Sequence, residues 1–279
     1  MWATDISPVT QDVWLRTHPY LQSVADLHAL VDAAAVRISP ADAAALRWED
    51  YGDEVLRGAP LLHSSIVMID YAPVEKIVRS LVESMAASPP TDKLAVETRT
   101  LSAELNGDPH AARPVVAWLL GDNAFASACP GLLRYLGWTV LSRYLRSLTD
   151  AFSNWRDDER WLRTYCPTCG SPPAMAQLVG VDQGRQRFLS CGCCRTRWRY
   201  KRTGCPFCEN GDDRRLAVVV AEGEGGLRID SCESCKGYLK TYDGEGSETV
   251  LLADWTSIHL DVIACDRGLK RLAASLYDL

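Results

Sequence analysis

Four Cys-x-x-Cys pairs, Cys166/Cys169, Cys191/Cys194, Cys205/Cys208 and Cys232/Cys235, fall in one stretch of the chain and constrain its folding more than any other feature. A Cys-x-x-Cys turn puts two sulfurs on one side of a tight loop, each able to reach a single ion at about 2.3 Å, and two such loops complete a tetrahedron. Pairing neighbours joins Cys166/Cys169 to Cys191/Cys194 across 21 residues and Cys205/Cys208 to Cys232/Cys235 across 23. Each gap holds a β-hairpin, the arrangement of a zinc ribbon or rubredoxin-type site. The spacing predicts two four-sulfur sites and so two metal ions per chain. That geometry serves zinc and mononuclear iron alike. Zinc would contribute folding energy alone, whereas iron would also make the sites redox-responsive.

Residues around the pairs agree. Pro167 and Pro206 follow the first cysteine of their pairs and stiffen the turn. Gly170 follows Cys169 and permits the positive φ that turns backbone N–H groups toward sulfur. Gly237 comes two residues after Cys235, whereas Arg195 and Glu209 stand where two loops lack a glycine. Of the three other cysteines, Cys193 lies inside a pair, as a bystander or a spare thiol near the metal. Cys129 and Cys265 fall in helical surroundings, where a buried free thiol is expected.

Residues Met1 to Thr10 carry Asp5 and Pro8 and no basic segment leading into an apolar core, so no secretory signal is expected. No apolar run approaches the roughly 20 residues that cross a bilayer, so membrane insertion is not expected. These features predict a cytoplasmic protein, where thiols stay reduced and serve metals more often than disulfides. The chain's 279 residues, 47% of them hydrophobic, exceed what one core comfortably serves, and two domains are expected.

Residues 11 to about 155 have helical periodicity, as in Ile66, Val67, Ile77, Val78, Leu81, Val82 and Met85, with a helix start near Pro73. Pro40, Pro60, Pro89–Pro90, Pro109 and Pro130 punctuate the region. A stripe of Leu133, Leu136, Val140, Leu141, Tyr144, Leu145 and Leu148 reads as core-facing helix. From Tyr165 the pattern changes to cysteines, glycines and short β-prone runs. Arg195 to Arg202 alternates Arg195, Arg197, Arg199 and Lys201 with Thr196, Trp198 and Tyr200, a period-two strand. Leu216 to Ala221 and Leu227 to Ile229 flank Gly223, Gly225 and Gly226 as a hairpin, and Gly237 to Tyr242 forms another strand. Trp255, Ile258, Val262 and Leu269 suggest a closing helix, capped by Asp254.

The expected fold is α+β: a helical domain over 1–160, tetra-cysteine ribbons over 161–203 and 204–248, and a C-terminal helix over 249–279. The two ribbons read as a duplicated pair. Residues 1–160 hold 14 Lys/Arg against 21 Asp/Glu, and the remainder 16 against 15. An acidic first half and a near-neutral second argue against a general nucleic-acid surface. The local exception is Arg195 to Arg202, where Trp198 and Tyr200 could stack bases, or where charges could protect an edge strand. His18, His28, His63, His110 and His259 lie without a partner at ligand spacing, and no nucleophile–base set, P-loop or dinucleotide motif is found. A catalytic role is not expected. A zinc-ribbon nucleic-acid binder and a thiol-redox enzyme are the alternatives.

The string Cys166-Pro167-Thr168-Cys169-Gly170-Ser171-Pro172, with Cys191 to Cys194, Trp198, Cys205 to Cys208, Cys232 to Cys235 and Tyr238-Leu239-Lys240, resembles the formate dehydrogenase accessory protein family, FdhE. The likeness extends through Ala253-Asp254, Leu260-Asp261 and Gly268, and more weakly to Pro60-Leu61-Leu62. The resemblance implies a cytoplasmic maturation factor with two rubredoxin-like sites holding iron. Its protein client would be the catalytic subunit of a formate dehydrogenase.

Overall fold

The computed structural model describes residues 8–274 except 43–45, 90, 108–111, 122–124, 181–183, 222 and 225. Asp5, Pro90, Pro109, His110 and Gly225, used above, lie outside the described residues. The α+β expectation is borne out. Among the described residues eight α-helices come first: α1 (Gln11–Thr17), α2 (Gln22–Ala35), α3 (Trp48–Arg57), α4 (Ala72–Ala87), α5 (Asp92–Gly107), α6 (Ala112–Leu119), α7 (Pro130–Tyr144) and α8 (Arg146–Trp155). Pro73 and Pro130 stand in the first turns of α4 and α7, where a missing N–H costs nothing. The stripe read in α7 understates it. Leu132, Tyr135, Trp138 and Thr139 are buried too, so this helix is enclosed on all sides at the centre of the helical layer.

Six strands follow among the described residues: β1 (Pro173–Val179), β2 (Gln186–Cys191), β3 (Arg197–Tyr200), β4 (Leu216–Val220), β5 (Leu227–Cys232) and β6 (Tyr238–Asp243). Each half runs cysteine turn, strand, strand, cysteine turn, strand, so the order of parts is duplicated. Within each half the strands pair antiparallel. The halves then join through a parallel pairing of β1 with β6, Met175 opposite Lys240 to Leu178 opposite Asp243. The result is one sheet of order β3-β2-β1-β6-β5-β4. Equivalent strands therefore meet different fates: β1 lies inside the sheet and is buried, while its counterpart β4 is an edge with Val218 and Val220 exposed.

The apolar cores do not follow chain order. One joins α2 to α8 with the first cysteine module, including Leu189, Trp198 and Tyr200. The other joins Trp14, Leu21 and Ala25 to Ile229, Tyr238 and Tyr242 of the second module, and to Leu251, Trp255 and Leu260. The chain closes with α9 (Glu248–Leu251), a 3-10 turn over Asp254–Ser257 and α10 (Ile258–Asp266).

Asp254 does not cap the closing helix. It is buried in the 3-10 turn, its Oδ1 2.7 Å from Lys240 Nζ and 2.7 Å from Arg271 Nη2. Asp261 completes the network, taking Lys240 Nζ at 2.7 Å, Arg271 Nη1 at 3.0 Å and the Tyr238 hydroxyl at 2.7 Å. Two cations against two carboxylates leave no net charge, which lets Lys240 stand at 1% exposure. Burial alone would raise the Asp254 pKa, but Lys240 and Arg271 outweigh it and hold the carboxyl below its usual range. Lys240, Asp254 and Asp261, three residues of the family likeness, thus tie β6 to the C-terminal turns.

Candidate metal centres

All four cysteine turns share one backbone shape. The amide of the first cysteine donates to the carbonyl five residues on: Cys166 to Ser171, Cys191 to Thr196, Cys205 to Asn210 and Cys232 to Gly237, each at 2.9 Å. The residue after the second cysteine is left-handed in all four, at φ +80° for Gly170, +63° for Arg195, +57° for Glu209 and +59° for Lys236. Among the described residues those last three are the only non-glycine residues at positive φ. The turn imposes the conformation whether or not glycine is present, at about 1–2 kcal/mol for each side chain so held. It turns amides onto sulfur: Thr168 N–H donates to Cys166 Sγ and Phe207 N–H to Cys205 Sγ, both at 3.4 Å.

The structure brings together the eight cysteines that the spacing paired. Cys166, Cys169, Cys191 and Cys194 form one set and Cys205, Cys208, Cys232 and Cys235 the other, the sulfurs of each within 4.8 Å of one another. Cys166 Sγ is 3.5 Å from Cys194 Sγ, and Cys169 Sγ 3.4 Å from Cys191 Sγ. In the second set, Cys205 and Cys235 are 3.6 Å apart and Cys208 and Cys232 3.8 Å. Four sulfurs about 2.3 Å from one ion lie about 3.8 Å apart in a tetrahedron, so both sets fit a metal.

Helical and ribbon parts together enclose the first set. Leu61 and Leu62 amides donate to the Pro167 and Thr168 carbonyls, both at 2.8 Å, and Pro60 lies against Gly170. The Tyr165 hydroxyl donates to the Gly58 carbonyl at 2.8 Å, and Trp198 Nε1 to the Arg163 carbonyl at 2.9 Å. All four thiols are consequently buried. Burial pushes Cys166 and Cys191 well up, whereas hydrogen bonds from Cys166 and the other neighbouring thiols hold Cys169 well down. A metal binds these sulfurs as thiolates, so its binding must displace thiol protons from the buried set.

The second set opens to solvent, with Cys208 exposed and Cys235 half-buried. Burial pushes the Cys205 thiol up to about 12. Burial would raise Cys232 too, but the Cys235 and Ser234 amides and the Cys208 and Cys205 thiols outweigh it and hold Cys232 at about 7.

Cys193 is fully buried, its thiol 4.0 Å from the Leu119 carbonyl, and stands outside both four-sulfur sets. Cys129 is half-buried at the start of α7, and Cys265 is exposed, against the expectation of buried thiols. The segment Arg195 to Arg202 is strand only over Arg197–Tyr200, and Trp198 and Tyr200 are buried at 0% and 4% exposure. They face the core and offer no base-stacking platform. Sequence reading also missed that folding gathers His18, Glu224 and His259, with both imidazoles on one carboxylate oxygen. No local pattern announces residues so far apart.

Residues 165–202, the first cysteine module, match the family model described as the FdhE central domain. A protein FdhE homolog from Aquifex aeolicus is 34% identical over 115 residues, 40% of this chain and 41% of that protein. Over this stretch the chain is similar to the FdhE proteins. FdhE homologs from Pseudomonas aeruginosa and Stutzerimonas stutzeri are 36% and 31% identical, over 41% and 57% of this chain and 39% and 53% of theirs. The matched stretches span about two-fifths to half the length of these relatives. The crystal structure of the FdhE protein from P. aeruginosa has the same fold, with a TM-score of 0.61 at 23% identity, covering 92% of this chain and 88% of that one. Among the described residues no helix is long and apolar enough to cross a membrane.

Proposed function

We propose that this FdhE relative is a non-catalytic maturation factor that binds the immature catalytic subunit of a formate dehydrogenase in the cytoplasm. The match of its first cysteine module to the FdhE central domain carries this reading. The contrast between the metal sites supports a division of labour. The first, sealed between helices and sheet, fixes the scaffold. The second, with Cys208 at the surface beside the open edge β4, faces the client. Both sets hold iron in this proposal; iron bound by four sulfurs supplies a one-electron centre, whereas zinc supplies only structure.

The test is co-purification of the formate dehydrogenase catalytic subunit with a tagged chain, and formate oxidation by a strain lacking the native gene. The wild-type chain should retain the subunit and restore activity, and a Cys205→Ser/Cys208→Ser variant should do neither. Restoration without any association, or association with nucleic acid instead, would overturn the reading. Elemental analysis with a visible spectrum on anaerobically purified protein decides the metal: about two irons per chain with ferric-thiolate colour are expected, and two colourless zincs would refute the iron assignment.

A further inference from the structure

Outside the two cysteine sets, folding builds one other cluster of metal-ligating groups among the described residues. His18 follows α1, Glu224 sits in the turn between β4 and β5, and His259 lies in the first turn of α10. His18 Nε2 stands 3.2 Å and His259 Nε2 2.7 Å from the same oxygen, Glu224 Oε2. The imidazoles stack with centroids 5.4 Å apart, and the three side chains are 7%, 14% and 16% exposed.

The two imidazole nitrogens on one carboxylate oxygen call for a cation between them, a proton on an imidazole or a metal ion. His18 Nδ1 lies 3.0 Å from the Trp14 carbonyl, which can only accept, and 2.9 Å from the Thr17 hydroxyl; with that hydroxyl donating to the same carbonyl at 2.9 Å, Nδ1 carries the proton of the neutral ring. In the neutral ring, Nε2 is then a bare lone pair aimed at a carboxylate oxygen that is also an acceptor. His259 Nδ1 is buried with no hydrogen-bond partner, so nothing beyond Glu224 fixes that ring's tautomer. Ligand atoms around a tetrahedral cation with bonds of about 2.0–2.1 Å lie about 3.3 Å apart, close to the His18 spacing. A histidine whose second nitrogen donates to a backbone carbonyl is the usual support for a ligand. Trp14 reinforces it, stacked on His18 at 3.9 Å with its Nε1 donating to the Thr256 carbonyl at 3.0 Å.

We infer that His18, Glu224 and His259 form a third site, for a divalent transition cation of the zinc class, with two nitrogens and one oxygen as protein ligands and a position left open to solvent. It would join α1, the β4–β5 turn and α10 at a place with no cysteine, and so clasp the N-terminal helix onto the second ribbon.

The test titrates cobalt(II) into the full chain with both tetra-cysteine sites loaded as purified, reading bound cobalt after desalting and the visible spectrum. One extra cobalt per chain is expected, with weak ligand-field bands and no intense thiolate charge transfer. Glu224→Gln keeps the shape of the turn and should weaken that binding by at least about tenfold. His259→Ala should abolish it, with the metal content of the cysteine sites and far-UV circular dichroism unchanged in both variants. No extra cobalt in the wild-type chain would overturn the site. So would cobalt that displaces metal from sulfur with charge-transfer bands, or undiminished binding in Glu224→Gln. Should His259→Ala fail to fold, Glu224→Gln alone decides.

Discussion

At the first tetra-cysteine site all four cysteines are buried under Pro60–Leu62 and the central helix α7, whereas at the second Cys208 is exposed and Cys235 half-buried. The turns that build them are alike to the hydrogen bond. What differs is what lies on top, and the difference shows that coordination geometry and metal accessibility are set separately: the first by each local turn, the second by packing from remote segments.

The comparison breaks most visibly if the cysteines are removed. Cys166→Ser/Cys169→Ser should unfold the helical layer along with the first module, because the site lies inside that core and structural metal binding is worth on the order of 10 kcal/mol. Cys232→Ser/Cys235→Ser should lose one metal and leave the helices folded. Metal content and helical circular dichroism distinguish the two, and equal loss of helix in both would erase the contrast.

Next in size is Lys240→Met, which leaves Asp254 and Asp261 buried against Arg271 alone and should cost about 3–5 kcal/mol by denaturant unfolding. The pH profile follows from the lowered Asp254 pKa. Stabilisation by the network is complete above the unfolded carboxylate value of about 4 and is lost as pH falls through the depressed folded value. A wild-type chain losing this stability between pH 7 and 5 would contradict that.

Metal release sharpens the contrast further. With a chelator present, falling pH should strip the second site before the first, by about tenfold in rate or more, since protons compete for thiolates and the second set, with Cys208 exposed and Cys235 half-buried, is the one open to solvent. Timed elemental analysis reads this, and simultaneous loss would count against burial as the control. The smallest effect is at the turns: Glu209→Gly should stabilise the second module by about 1 kcal/mol, because glycine adopts its φ of +57° without strain. Gly170→Ala should do the reverse at the first, where an added Cβ would stand 3.2 Å from Pro60. Thermal melts of the two variants would show opposite shifts.

The sequence by itself determined the two sulfur tetrahedra, the hairpins between them and the starts of α4 and α7, because a Cys-x-x-Cys turn and a proline at a helix start act through neighbouring residues. Glycine spacing suggested the left-handed turns but missed that Arg195, Glu209 and Lys236 adopt them too, since the demand comes from closing the turn. Only the tertiary structure decided the rest. Parallel pairing of β1 with β6 fused two ribbons into one sheet. Tertiary packing also made Asp254 part of a buried ion network instead of the expected cap, faced Trp198 and Tyr200 inward, and set His18 and His259 on one glutamate. These outcomes rest on contacts between residues distant in the chain, whose partners are chosen by burial of apolar surface and pairing of buried charge, and no short window of sequence contains both sides of such a choice.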